Sequence, residues 1–355
     1  MTEPRRLRGH KATATCCIAS RDRPDIVVTS GEDGRVCWFD MRCKEVQFVM
    51  VVAEQPISSL CFKPGNEDIL YVSSGSEVKC LDVLMANDWK PLRTYNYNKD
   101  EINQIIDIHQ HCLYKTLRAG HSSICSSVQF IPWRPWGVIT GGLDSKLIMW
   151  DFSKGRPVKI VDFGSNSSNN TTQCLNPAFV HAIAVPDVDM VDNAGKICAV
   201  ARGDGVVDVI DIEVELAAAI RSKSMAKAKK GSQIKSNNEA ESSTSGETTA
   251  NTNQSSRLHL DYELGGHTAA VSCVGFSLFG DKGKFIVSGG NDKSVKLWDC
   301  SRRETIQQDG GSNNGLLHLS ISLSKKVNWL CTTPTESENL VICDTTKVVK
   351  VYSVT

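Results

Sequence analysis

The chain has 355 residues and is electrically balanced, with 40 lysines and arginines against 40 aspartates and glutamates. Its hydrophobic content of 41% and charged content of 23% are typical of a soluble globular protein with a buried core. A zero net charge gives no support to nucleic acid or an anionic membrane as the main partner, because both normally select a basic face. No run approaches the ~18 apolar residues of a membrane span, and the N-terminus has no apolar signal segment. We therefore expect a cytoplasmic or nuclear protein.

The 14 cysteines do not indicate a metal site or a disulfide framework. None forms a C-x-x-C pair, and no Cys/His cluster has the spacing of zinc ligands. Most lie inside short apolar runs, such as "SSLCF" and "LVICD", where cysteine acts as a small buried hydrophobe. We accordingly predict no metal and no cofactor.

Three stretches in chain order share one plan: Gly9 to Asp40, Gly120 to Asp151, and Gly266 to Asp299. Each begins with Gly-His and continues with an alternating apolar run, a turn and a second apolar run. A turn that contains aspartate follows, and a third run closes with an aromatic residue and aspartate. Runs with a period of two residues between Gly, Asp and Pro turns predict short antiparallel strands.

The closing aspartates of these and the weaker copies recur at a nearly constant step. Asp40 to Asp82 is 42 residues and Asp107 to Asp151 is 44 residues, while the later steps are lengthened by polar inserts. A final copy ends at Tyr352, which stands at the position of the closing tryptophan. This period, with Gly-His and Trp-Asp, resembles the WD-repeat family over essentially the whole chain outside the inserts. The resemblance implies an all-β fold, a single WD-repeat β-propeller spanning 1–355.

The resemblance also implies a hydrogen-bonded tetrad in each of the three best copies, with structural roles for its members. In the first copy Phe39 stands where the tetrad tryptophan belongs. Phe39 cannot donate a hydrogen bond, so we expect a weaker network there. The implied tetrads are His10, Thr29, Asp33 and Phe39; His121, Thr140, Asp144 and Trp150; and His267, Ser288, Asp292 and Trp298.

One unit is short, because Asp82 to Asp107 is only 25 residues. Its flanks look intact, and what is missing is the body of the innermost strand, the whole second strand and the tight turn. The sequence therefore predicts seven repeat units with the third truncated, namely six complete blades and a remnant at 92–112. A splice or gene-model variant and a natural six-bladed ring both explain the short unit. In either case the neighbouring sheet edges lose their cover.

Two inserts are polar and have little to bury. The first, 213–256, has a basic beginning, "RSKSMAKAKK", followed by a Ser/Asn/Thr-rich tail, and we predict disorder there. The basic part is explained either by a nuclear localisation signal or by an ordinary solvated charge run. The second, 301–315, is predicted to be a flexible loop.

Two stretches are candidate partner-binding sites. "WFDMR" places Arg42 two residues after Asp40, which is similar to the WD-x-R box by which some propellers dock onto the DDB-type adaptor of cullin–RING ubiquitin ligases. The alternative is that Arg42 is an ordinary solvated loop residue. "PWRPW" places Trp133 and Trp136 around Arg134, a composition typical of binding hot spots. The alternative there is that both indoles pack on their own blade.

No catalytic motif is present: the sequence has no P-loop, no G-x-S-x-G, no H-E-x-x-H and no Rossmann fingerprint. We therefore predict a non-catalytic protein–protein interaction scaffold rather than an enzyme. The sharper hypothesis is a substrate receptor of a cullin–RING ubiquitin ligase. The alternative is a structural subunit of a chromatin or RNA-processing complex without a ubiquitin role. Other proteins are the expected partners; a small-molecule substrate, a membrane and nucleic acid are not.

Overall fold

Short antiparallel strands make up almost all of the regular structure, as the alternating runs predict. The computed structural model describes residues 3–88, 90–96, 104–107, 112–117, 120–165, 175–232, 257–302 and 315–354. Within these residues the strands form six four-stranded sheets, named here blades A to F in chain order, and one two-stranded sheet. The first strand of the chain is β1 (Arg5–Arg8).

The first half of the chain forms blades A and B and the two-stranded sheet. Blade A contains β2 (Ala14–Ala19), β3 (Ile26–Gly31), β4 (Arg35–Asp40) and β5 (Val46–Val51). Blade B contains β6 (Ile57–Lys63), β7 (Asn66–Ser74), β8 (Glu77–Asp82) and β9 (Arg93–Tyr95). The two-stranded sheet pairs β10 (Gln104–Asp107) with β11 (Cys112–Thr116).

The remaining four blades follow the same strand order. Blade C contains β12 (Cys125–Phe130), β13 (Gly137–Gly142), β14 (Lys146–Asp151) and β15 (Arg156–Asp162). Blade D contains β16 (Val180–Ala184), β17 (Ile197–Arg202), β18 (Val207–Asp211) and β19 (Arg257–Leu260). Blade E contains β20 (Val271–Phe276), β21 (Phe285–Gly290), β22 (Ser294–Asp299) and β23 (Leu317–Ser322). Blade F contains β24 (Val327–Thr332), β25 (Leu340–Asp344) and β26 (Val348–Tyr352).

Strand β1 supplies the fourth and outermost strand of blade F. It pairs antiparallel with β26, with Leu7 opposite Val349. The N-terminal strand therefore completes blade F. In all six blades the first strand named above is the innermost one of the ring. The architecture is a β-propeller with six four-stranded blades, which confirms the predicted fold class.

The core lies between the blades rather than inside any one of them. Five buried apolar clusters join neighbouring blades: C with D, D with E, E with F, F with A, and A with B. A smaller sixth cluster lies on the other face of blade C and is completed by Leu117, which follows β11. Each sheet thus buries both faces against neighbours, except where blades B and C would meet.

The turn between the second and third strands of a blade needs a left-handed residue directly after its aspartate. Gly34 takes this position in blade A, with a φ of 66°. Ser145 and Lys293 take it in blades C and E, with φ values of 60° and 62°. An L side chain is strained in this region, so these two turns are held by their surroundings rather than by local preference.

Where seven units with a truncated third were predicted, six four-stranded blades and one two-stranded sheet are observed. Arg93 to Tyr95 forms the outer strand of blade B, and β10 and β11 correspond to the third and outermost strands of the short unit. Residues 97–103 and 108–111 of the predicted remnant lie outside the described residues. The explanation of the short unit, by a splice variant or by a natural six-bladed ring, stays a prediction.

The predicted disorder of 213–256 does not describe its first part. The structure has a helix, α2 (Ile212–Ser232), that leaves β18 directly and packs against β15; a short helix, α1 (Val191–Ala194), precedes it in blade D. The physical reason lies in the run "IEVELAAAIRSK", because alanine, leucine, glutamate and lysine are strong helix formers. Residues 233–256 lie outside the described part of the chain, as do residues 303–314 of the second predicted loop, 301–315.

Candidate protein-interaction surface

Blade C carries a hydrogen-bond chain through four of the predicted tetrad residues. Trp150 Nε1 donates to Thr140 Oγ1 at 2.8 Å, and Thr140 Oγ1 lies 2.8 Å from His121 Nε2. His121 Nδ1 lies 2.9 Å from Asp144 Oδ1. Since the indole only donates and the carboxylate only accepts, the hydroxyl donates to Nε2 and Nδ1 carries the ring proton. Burial opposes ionisation, but the bonds from His121 and from the backbone N–H of Ser122 lower the pKa of Asp144.

Blade E has the same chain from Trp298 through Ser288 and His267 to Asp292. The three successive contacts measure 3.1, 2.8 and 3.0 Å. Burial opposes ionisation of the Asp292 carboxyl here too, but the bond and charge of His267 outweigh it and lower the pKa of Asp292 to about 2. The carboxylate is therefore ionised throughout the neutral range.

Blade A has the same hydrogen-bond chain as blades C and E, but without the indole donor. His10 Nε2 lies 2.8 Å from Thr29 Oγ1, while His10 Nδ1 lies 3.2 Å from Asp33 Oδ1, farther than the same contact in blades C and E. Phe39 is buried beside this chain and contributes no donor. Burial lowers the pKa of His10, which keeps the ring neutral. In all three blades these side chains hold turns together and are not free to act on a ligand.

Blade D has a charged network that the sequence did not reveal. Arg202 Nη1 donates to Asp208 Oδ2 at 2.6 Å, and Arg202 Nε donates to Asp204 Oδ1 at 3.1 Å. His259 Nδ1 also contacts the buried carboxylate of Asp208. Asp204 occupies the turn position of the tetrad aspartate, so the arginine takes over the role of the missing histidine. The only sequence signal is the "RGDG" turn itself, whose Gly205 has a φ of 92°.

The loop after β4 presents Arg42 to solvent on a fixed backbone. Asp40 accepts from the backbone N–H of Arg42 at 2.9 Å, and from Nε and Nη2 of the same residue at 2.9 and 2.7 Å. Arg5 Nη1 donates to the carbonyl of Met41 at 2.5 Å and to Glu338 Oε2 at 2.6 Å. Arg5 Nη2 also donates to the carbonyl of Cys43. The loop is therefore tied to β1 and to blade F, and its position does not depend on Arg42 alone.

The guanidinium of Arg42 keeps an open edge in spite of its intramolecular pair. Its Nε and Nη2 face Asp40, and Asp25 lies 3.7 Å from Nε. The Nη1 edge points away from this pair, and 71% of the side chain is exposed. An arginine held in this way offers the Nη1–Nη2 end to a carboxylate or carbonyl of a partner.

The turn that carries Arg42 recurs in other blades with a different residue. The closing aspartate accepts from the residue two positions later in blade E, where the acceptor is Asp299 and the donor is the backbone N–H of Ser301 at 3.0 Å. Ser153 Oγ likewise donates to Asp151 in blade C at 2.5 Å. The backbone of this turn is thus a property of the repeat, and the arginine is particular to blade A.

The "PWRPW" loop is not a free hot spot, because α2 engages it. Trp133 Nε1 donates to Glu213 Oε1 at 3.0 Å, and Arg134 Nε donates to the same oxygen at 2.8 Å. Trp136 is half exposed and packs edge-on against Phe152. A concave pocket of about 700 Å³ lies between this loop, blade C and α2. Of the two indoles predicted in the alternative to pack on their own blade, Trp136 contacts Phe152 of blade C, whereas Trp133 bonds to the helix that follows blade D.

The described residues contain no group of three or more His, Cys, Asp or Glu side chains that could hold a metal ion. Where the structure describes helices, none has the length and apolar character needed to cross a membrane. None of the twelve cysteines whose side chains the structure describes forms a disulfide, and of these Cys43 and Cys61 are exposed.

The family model described as "WD domain, G-beta repeat" matches residues 1–40, 111–151 and 259–299. The chain is a six-bladed β-propeller that contains WD repeats. These three stretches contain the histidine, hydroxyl and carboxylate residues of the tetrads in blades A, C and E, and WD-repeat propellers are in general non-catalytic proteins that bind other proteins. This architecture therefore suggests an interaction scaffold.

Two similar proteins agree with this assignment. The WD repeat-containing protein 53 homolog of Dictyostelium discoideum is 26% identical over 245 residues. The match covers 58% of this chain and 64% of that relative, so the chain spans less than two thirds of the relative's length. The crystal structure of the WD40 β-propeller domain of Doa1 superposes with a TM-score of 0.63 over 99% of this chain and 97% of that one. Its sequence identity is 14%, so this likeness shows the fold alone.

Proposed function

We propose that this WD-repeat propeller is a substrate receptor of a cullin–RING ubiquitin ligase, and that Arg42 contacts the DDB-type adaptor. The observation that carries the proposal is the exposed guanidinium of Arg42 on a loop fixed by Asp40, Arg5 and Glu338. A partner meets a side chain that is already held in place, so little conformational entropy is lost on binding. Its charge is matched by a carboxylate or a carbonyl on the adaptor.

The sharpest test replaces Arg42 by the residue that the repeat itself uses. Arg42→Ser introduces the side chain found at the same turn position in blades C and E, where it bonds to the closing aspartate. The turn is therefore kept while the guanidinium is lost. Lys154→Ala is the matched control, because Lys154 is an exposed cation three residues after the closing Asp151 of blade C.

The measurement is the affinity of the purified chain for the purified adaptor, alongside the thermal midpoint of each variant. We expect Arg42→Ser to weaken binding by about tenfold or more, since hydrogen bonds to a charged group contribute roughly 1.5–3 kcal/mol. The control should bind as wild type does. Equal affinity of wild type and Arg42→Ser, or no binding by either, contradicts the proposal. Recovery of chromatin or RNA-processing subunits without the adaptor favours the role of a structural scaffold instead.

A further inference from the structure

Hydrogen bonds of one type join neighbouring blades at five of the six junctions around the ring. In each case the second residue of an innermost strand donates through its side chain to the backbone carbonyl of the first residue in the next innermost strand. Every such donor lies at a β-bulge, which turns its side chain toward the neighbouring blade. The donor–acceptor pairs are Thr15 to Ile57 (2.7 Å), Ser126 to Val180, His181 to Val271 (3.0 Å), Ser272 to Val327 (2.6 Å) and Asn328 to Ala14 (3.2 Å).

Blade B has the sixth donor of this series, but its bond stays within the blade. Ser58 is the second residue of β6 and lies at the same bulge. In the described part of the chain its hydroxyl reaches only Ser73, whose Oγ is 2.8 Å away. The acceptor expected by the pattern is the carbonyl of Cys125 in blade C. Innermost strands pack closely at the other five junctions, and no comparable packing of described residues joins β6 to β12.

Blade C exposes to solvent the face that other blades bury. Val128 and Phe130 stand opposite Thr140 and Val138 across the β12–β13 pair, and they are 47% and 54% exposed. Phe276 has the position of Phe130 in blade E, where it is 8% exposed because it packs against blade D. The same residue type in the same place is therefore covered in one blade and bare in the other.

The two-stranded sheet covers only the outer part of this face. Its strand β11 is anchored to blade C, with Lys115 Nζ donating to the carbonyl of Ser153 at 2.8 Å and Tyr114 packing edge-on against Phe152. Strands β10 and β11 correspond to the third and fourth strands of a blade, and within the described residues no strand pairs with the other edge of β10. What this junction lacks is a first and a second strand.

We propose that the junction between blades B and C receives a β-hairpin from a partner protein, which acts as the first two strands of a seventh blade. Its first strand accepts a hydrogen bond from Ser58 at its first carbonyl and donates to the carbonyl of Cys125 from a small polar residue at its second position. Alternate apolar residues of that strand cover Val128 and Phe130. The interface continues the contact that the molecule already makes five times within itself.

A second copy of the chain is a poorer occupant. The innermost strands of its six blades are already paired in complete sheets, and its one two-stranded unit in the described residues is anchored to blade C by Leu117. It therefore has no free pair of strands to offer without unfolding a blade. The proposal is also independent of Arg42, which lies on a different loop.

The probe is a fluorescein-labelled synthetic hairpin with the sequence of residues 271–290, in which Ser272 supplies the small polar residue. Binding to the full chain is followed by fluorescence anisotropy, with a scrambled peptide of the same composition as a control. Val128→Lys places a charge on the proposed interface. Val214→Lys is the matched control, since Val214 is 48% exposed on α2 and Val128 is 47% exposed.

Two exposed thiols give a second readout. Cys61 lies on β6 and Cys43 on the Arg42 loop, and both belong to the exposed cysteines of the described chain. Iodoacetamide labelling with peptide mapping measures each thiol separately. We expect the hairpin to bind saturably and to slow labelling of Cys61 by about fivefold or more while Cys43 is unchanged. Val128→Lys should weaken binding by about tenfold, whereas Val214→Lys and Arg42→Ser should not change it.

Each of the other outcomes overturns the proposal. These are binding no stronger than that of the scrambled peptide, equal loss of binding in the Val128 and Val214 variants, and equal protection of both thiols. Sedimentation as a dimer with Cys61 already protected would identify a second copy as the occupant. Loss of adaptor binding by Arg42→Ser with peptide binding intact would leave this inference standing, so the two proposals fail separately.

Discussion

Replacement of the phenylalanine that stands at the same position in two blades measures how far the B–C junction is open to solvent. Phe130→Ala and Phe276→Ala remove the same side chain from equivalent positions of blades C and E. Phe276 is packed between blades D and E, while Phe130 is covered on one side by Phe152 and faces solvent on the other. The two variants differ in environment and not in chemistry.

The expected difference follows from the exposed fractions of 54% and 8%. A phenylalanine buries roughly 200 Å², so Phe130 buries about 90 Å² less than Phe276. At about 25 cal/mol per Å² this is worth ~2 kcal/mol. Large-to-small changes at a buried phenylalanine cost about 3–5 kcal/mol, which places Phe276→Ala in that range and Phe130→Ala near 1–2 kcal/mol.

The assay is urea unfolding followed by circular dichroism, with the free energies of unfolding compared at equal m-values. A difference close to 2 kcal/mol between the variants supports an open junction. Equal losses for the two variants would mean that Phe130 is as well covered in solution as Phe276, and the reasoning would be refuted. If the junction is open, addition of the hairpin probe should bring the losses of the two variants closer together, because the probe covers Phe130.

Four further predictions concern single interactions. Thr15→Val should cost about 1 kcal/mol because it leaves a carbonyl at a closed blade junction without its donor, whereas Ser58→Ala should change the free energy of unfolding by less than half of that; both are read from urea titrations. Asp292→Asn should weaken the dependence of the free energy of unfolding on pH in the acid range. The lowered pKa of Asp292 stabilises the wild-type fold above about pH 4, and this contribution is lost as the pH falls toward 2, so the free energies of unfolding of wild type and variant converge in acid. Lys293→Gly should raise the thermal midpoint by a few degrees, corresponding to about 0.5–1 kcal/mol, because the residue is left-handed; an unchanged or lower midpoint would show that its side chain makes a compensating contact. Glu215→Ala should cost about 2–3 kcal/mol, since the buried carboxylate pairs with two cations, and a loss below 1 kcal/mol would contradict that reading.

The propeller could be predicted because its sequence motifs recur at a regular spacing. Recurring closing aspartates and Gly-His pairs fixed the step, and the single step of 25 residues located the irregular unit. Strand pairing in a propeller is mostly between neighbours in sequence, so local alternation carries most of the topology. The blade register therefore followed from spacing alone.

The remaining features depend on contacts between distant residues. The pairing of Arg134 with Glu213 joins positions that are 79 residues apart, and no pattern in either stretch announces it. The pairing of Arg202 with Asp208 joins two neighbouring strands, and neither stretch of sequence indicates it. Helix α2 was missed for a different reason, since its polar composition indicated disorder while its alanine-rich beginning favoured a helix.

For Arg42 only the type of contact could be predicted, namely the pairing of its guanidinium with a carboxylate. The position two residues after the closing aspartate followed from the motif, and the bidentate pairing of arginine with a carboxylate followed from its chemistry. The structure shows that the first carboxylate it meets is Asp40 of its own turn. The adaptor contact therefore stays a prediction, to be tested on the Nη1 edge of the guanidinium.

The missing contact between blades B and C also changes how the molecule should come apart. In the described residues the blades form an open row, C–D–E–F–A–B, in which each unit is supported only by its neighbours, as in a solenoid. The ends of this row are blades B and C, although both lie inside the sequence, while the strand that joins the first residues to the last blade sits in its middle. Opening should thus start from two internal blades, and the stretches nearest the chain termini should be among the last to unfold.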